Sequence, residues 1–112
     1  MEYHEILPLR RAELEELLGS GNVRAINEAL LSAAFHDCDW EWAQNQCLSF
    51  LSHSNRDVRS IAATCLGHIA RIHRKLDIDI VLPQLYEAKS DQSIAAGVDD
   101  AIDDIKLFVR LQ

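Results

Sequence analysis

The sequence predicts an all-α protein, a short α-solenoid of about three stacked helical hairpins, and three observations predict it. No segment alternates apolar and polar residues between turn signals with β-branched enrichment, so nothing reads as a strand. Apolar residues recur instead at helical spacing: taking 100° per residue from Val58, the residues Ile61, Ala62, Cys65, Leu66, Ile69, Ile72 and His73 fall with it inside an arc of roughly 140°, the width of a buried helix face. The long helical stripes also repeat one another. Setting Val23 on Val58 and Ile94 gives spacings of 35 and 36 residues, with Ser20, Asn55 and Asp91 as caps. Leu30, Cys65 and Ala101 then align, as do Leu31, Leu66 and Ile102, and Ala34, Ile69 and Ile105. A period near 35 with two helices per copy is the signature of a solenoid, in which each pair buries its apolar face on the next.

Taken in order, residues 2 to 7 offer one helical turn before Pro8. Arg11 to Leu18 forms a helix with Leu14, Leu17 and Leu18 on one face, stopped at Gly19. Ser20 caps a helix from about Gly21 to Phe35, and His36-Asp37-Cys38-Asp39 breaks it. Asp39 caps Trp40 to Leu51, whose apolar positions are Trp40, Ala43, Cys47, Leu48, Phe50 and Leu51. Asn55 caps the central helix that ends at His73, with Asp57 placing negative charge at the positive end of its dipole. Asp77 caps Ile78 to Lys89, which Pro83 must bend or split. Asp91 caps the last helix, striped by Ile94, Val98, Ala101, Ile102, Ile105, Phe108 and Val109. The repeats therefore cover about 2–36, 38–75 and 77–111 of one 112-residue domain. On the central helix, a mid-helix Gly67 costs about 1 kcal/mol against Ala. Either another backbone approaches closely there, or Gly67 is tolerated on a solvated face.

These residues resemble the HEAT-repeat family. There, a first helix ends in a leucine-rich segment and an Asp or Asn turn, followed by Val-Arg, alanines and Leu-Gly; here Leu48, Phe50, Leu51, Asn55, Val58, Arg59, Ala62, Ala63, Leu66 and Gly67 stand in that order. Val81-Leu82-Pro83, Leu85 and Asp91 are similar to the next first helix, proline included. The resemblance implies that Arg59 pairs with an acid of the neighbouring repeat. Ala95 stands where Arg24 and Arg59 stand in the other copies, and Asp99 to Asp104 replace the Leu-Gly region, as suits a terminal repeat. It specifies a fold and leaves function open.

Composition narrows the partner. Net charge is −7, unevenly spread: residues 55 to 75 carry +4, leaving −11 to the rest of the chain. An acidic shell around a basic centre disfavours nucleic acid and anionic membrane and suits a basic protein. No apolar run approaches the roughly 18 residues of a membrane span, and no signal-peptide pattern opens the chain, so a cytoplasmic location is expected. Cys38, Cys47 and Cys65 have no metal-binding or redox spacing and read as small reduced core residues.

No chemistry-bearing set emerges. His36-Asp37 is a two-residue match to a metal-binding pair with no second ligand at helical spacing, and His68 and His73 lie five apart, unable to share a metal face. Ser60, Thr64 and Cys65 have no base placed to activate them. The chain reads as a non-enzyme without metal or cofactor. Two patches suit protein binding. Asp37, Asp39, Glu41 and Trp42 lie between the first two repeats, and Asp77 and Asp79 lie in the equivalent linker, so solenoid geometry places both on one edge as an acidic rim; Trp42 either packs against the first repeat or stands exposed there, where it would be a hot spot. Asp100 and Asp104, with Asp99 and Asp103, form the second patch.

A small solenoid of this kind is expected to be a dedicated protein-binding module. By family-level analogy, free-standing bacterial proteins of this size and repeat type resemble immunity proteins of toxin systems, including contact-dependent growth inhibition. The expected complex is one monomer with one basic, nuclease-type toxin domain. The alternatives are a HEAT-like adaptor or scaffold, or nucleic-acid binding through Arg56, Arg59, Arg71 and Arg74 of the central helix.

Overall fold

Each apolar stripe becomes a helix. The computed structural model describes residues 6–109, and among these the chain forms six helices and no strand: α1 (Arg11–Leu18), α2 (Val23–His36), α3 (Trp40–Phe50), α4 (Arg56–His73), α5 (Ile78–Ala88) and α6 (Ala95–Phe108). The turn expected over residues 2 to 7 falls mostly outside the described residues. Helix α1 packs on α2, α3 on α4 and α5 on α6, and the hairpins stack through α2 on α4 and α4 on α6. The second helices thus make a continuous row with α4 at its centre.

Two of the aligned sets reach matching depths, whereas Leu31 is half-buried where Leu66 and Ile102 are buried. Leu30, Cys65 and Ala101 are buried, as are Ala34, Ile69 and Ile105. Leu14, Cys47, Val81 and Leu85 close the same core from the first helices, and full burial of each such aliphatic side chain contributes about 1.5–3 kcal/mol. The face thins toward the end of α4, where Ile72 is exposed and His73 half-buried.

Gly67 is buried where α6 crosses α4. A Cβ on it would stand 3.1 Å from the Ala101 Cα and 3.1 Å from an Asp104 carboxylate oxygen. The glycine therefore serves close approach of two backbones, which explains its cost in helix propensity.

Three caps differ from the expectation, that of Asp77, which makes no side-chain hydrogen bond to the start of α5, among them. Gly21 adopts φ +73°, which turns the chain and makes Asn22 the residue whose side chain accepts from the Ala25 N–H at 2.9 Å; Ser20 instead donates its hydroxyl to the Leu17 carbonyl. Asp91 does not cap α6. Its carboxylate takes the Ser93 N–H and hydroxyl and the Arg59 guanidinium, and the helix begins three residues later after Ile94. Asp39 and Asn55 cap as expected, accepting from the Trp42 N–H and from the Asp57 and Val58 N–H groups. Helix α5 runs through Pro83 as one element, with Val81 and Leu85 buried on either side of it.

Candidate protein-binding surface

The first linker is built around one arginine. Arg11 of α1 reaches across to the turn between α2 and α3, donating to both oxygens of Asp37 at 3.2 and 3.3 Å and lying 3.8 Å from an Asp39 oxygen. Its guanidinium also stacks 3.8 Å from the centroid of the Trp42 ring. Trp42 is therefore half-buried under Arg11 and packed against the core, not the fully exposed aromatic expected of a free hot spot. Asp37 is turned inward by the same contact. Asp39 remains exposed, and so does Glu41 on the next turn.

The second linker is tied to α3 by a residue that the apolar pattern hides. Gln44 is fully buried; its amide nitrogen donates to Asp77 Oδ2 at 2.8 Å and its amide oxygen accepts the Asp77 N–H at 2.7 Å. Because one partner only accepts and the other only donates, the orientation of the amide is fixed. Asp77 is thereby committed to an internal clasp and makes no side-chain cap to α5. The clasp lies one turn along α3 from Glu41. Gln44 is absent from the expected site. The signal for it was present: it sits four residues after Trp40 and three before Cys47, on the apolar stripe. Asp79 is exposed, as is the neighbouring Ile80.

On α6 the four acids behave differently from one another. Asp99 pairs with Lys89 at 2.8 Å and Asp104 with Arg71 at 3.7 Å. Asp100 and Asp103 are exposed with no ion-pair partner among the described residues. Beside Asp104, the half-buried His68 ring lies 4.7 Å from the Phe35 ring and is hydrogen-bonded to Arg71. Burial, and then the Arg71 charge, hold its pKa below the ordinary value despite the opposing pull of Asp104.

The arginines of α4 are held by neighbours along the length of the helix. Arg59 donates to Asp91 of the third hairpin at 3.0 and 3.2 Å and to the His53 and Ser54 carbonyls, which is the inter-repeat pairing expected of it. Arg56 binds Asp57 and the Ser93 carbonyl, Arg71 binds Asp104, and Arg74 lies over the Phe108 ring. Among the described residues no three of His, Cys, Asp and Glu gather as a metal site, and no helix is long and apolar enough to cross a membrane. Cys47 and Cys65 are buried as expected, whereas Cys38 is exposed because the linker that carries it stands clear of the core.

No protein-family model matches the sequence, and neither does any curated protein. Among solved structures there is a match. A chain of the CDI complex from Cupriavidus taiwanensis LMG 19424 is 40% identical in sequence and superposes with a TM-score of 0.85, over 96% of this chain and 97% of that one. The protein belongs to the family of that CDI-complex chain. As the likeness runs almost end to end in both chains, the six-helix frame and both linkers of this CDI-complex family member lie within the matched length.

Proposed function

We propose that the protein is the immunity protein of a contact-dependent growth-inhibition system, a monomer that binds the toxin domain of its own system one-to-one in the cytoplasm and neutralises it. The observation that carries this reading is the end-to-end likeness to a chain of a CDI complex. The helical hairpins serve as HEAT repeats presenting a rigid outer surface. The toxin it takes is basic and of the nuclease type, since a net charge of −7 steers a cationic partner and carboxylates can block the cationic cleft that a nuclease uses for its substrate. Asp39, Glu41 and Asp79 make the contact, with Asp100 as a second point. Asp37, Asp77, Asp104 and Trp42 hold these groups in place through Arg11, Gln44 and Arg71.

The test is co-expression with the toxin domain of its own system, followed by measurement of association at rising salt. Rescue of growth with an association rate that falls steeply as salt rises is expected. Growth arrest despite full expression of the protein would reject the immunity role, and a rate indifferent to salt would reject electrostatic capture of a basic toxin. Charge reversal by Glu41→Lys and Asp79→Lys is expected to slow association.

A further inference from the structure

The second turn of α3 is clasped to the start of α5 by Gln44 and Asp77, and between the C-terminal turns of the two helices the surface opens into a groove of about 420 Å³. Its apolar lining comes from Leu48, Leu51 and Ala88 and its polar lining from Gln84, Glu87 and Ser90. We propose that this groove seats an arginine- or lysine-bearing segment of the partner protein, a reading that rests on toxin binding and adds a second seat beyond the carboxylate rim.

Charge complementarity argues for that occupant from two sides. Neither α3 nor α5 contains a single Lys or Arg, and Glu87 lies exposed in the groove lining itself. The groove also lies at the negative ends of two helix dipoles. Helices α2, α4 and α6 each carry His, Lys or Arg in the last turn, whereas α3 and α5 carry none. The two nearby cations point elsewhere: Lys89 is drawn to Asp99 of α6, and Arg59 is taken up by Asp91 and the carbonyls of the turn after α3. The apolar lining suits the methylene stem of a long basic side chain, whose head then meets Glu87 and the carbonyl ends.

The toxin domain of the same system is the probe, and the full chain is titrated with it by calorimetry. Glu87→Lys reverses the charge at the mouth and Gln84→Arg plants a competing cation in the groove. Both residues are exposed, so folding is expected to survive and is checked by melting temperature. Each change is expected to weaken binding by at least about tenfold, the two together by more, and the control Glu15→Lys on α1, with the same charge change, by less than about threefold. Groove variants that bind like the wild type would overturn the inference while leaving an immunity role intact, most clearly if Glu41→Lys still weakens the complex. A concentration-dependent dimer of the chain alone, abolished by Glu87→Lys, would also overturn it, because the occupant would then be a second copy. Absence of wild-type binding would overturn the toxin-binding reading and this inference with it.

Discussion

Replacing Gln44 by Glu alters a few atoms at the centre of the clasp and has a cost that can be bounded. In the wild type the buried amide donates to the Asp77 carboxylate at 2.8 Å, a charge-assisted hydrogen bond worth about 1.5–3 kcal/mol. A carboxylate in its place sets two negative charges against each other, and even at an effective dielectric near 20 their repulsion at such distances is about 4 kcal/mol. The molecule has one escape, which is to bind a proton. A protonated carboxyl can again donate to Asp77 and accept its N–H, so the loss cannot much exceed the cost of protonating a group of ordinary pKa at pH 7, about 3–4 kcal/mol. By linkage, the folded variant holds a proton that the unfolded chain has released, so its deficit against the wild type shrinks by about 1.4 kcal/mol per unit as pH falls and nears zero around pH 4–5. Urea denaturation of both proteins between pH 5 and 7.5 measures this, and the melting temperature should drop by about 15 °C at pH 7. Gln44→Ala removes both arms at every pH and should show a deficit without that slope. A loss below about 1 kcal/mol at pH 7, or one that does not change with pH, would refute the account.

Other substitutions follow from the same frame. Gly67→Val pushes side-chain atoms into the Ala101 backbone and should cost about 2–3 kcal/mol by thermal denaturation. Gly67→Ala, helped by about 1 kcal/mol of helix propensity, should stay much closer to wild type. Arg59→Lys should lose about 2 kcal/mol in chemical denaturation, since one ammonium cannot reach Asp91 and two carbonyls together. Because the pKa of His68 is lowered in the folded state, the unfolded chain takes up its proton first, so the contribution of His68 to stability is present above the unfolded pKa near 6.5 and is lost as pH falls from there toward the folded value. Wild type should therefore weaken between pH 7.5 and 5.5 more than His68→Gln does, in paired urea titrations. The carboxylates of Asp91 and Glu13, whose pKa values are lowered mainly by hydrogen bonds from Ser93 and from Arg10, act only at more acid pH.

The helices were legible because periodicity is a local property that burial enforces one turn at a time. Boundaries were less so: Ser20 and Asp91 have the chemistry of caps, but a left-handed Gly21 moved one start and the pull of Arg59 and Ser93 on the Asp91 carboxylate moved the other. The rim was half legible. Asp39, Glu41 and Asp79 are exposed as polar positions outside the stripes should be, yet which carboxylates turn inward depends on Arg11 meeting Asp37 across 26 positions and Gln44 meeting Asp77 across 33. Pairings at such separations leave no trace in spacing. A groove between two helix ends is further still from the sequence, since it is defined by how far the helices diverge.

The cysteines give the molecule a reporter of its own opening. The neighbouring Cys47 thiol and burial push the Cys65 thiol well above the ordinary range, so it is almost wholly unreactive while α3 lies on α4. A disulfide reagent should modify Cys38 at once and meet the second and third sulfurs only when that hairpin parts. The slow phase of such a reaction would time the separation of the middle pair of helices, alone or in the grip of a partner, without adding a label anywhere in the chain.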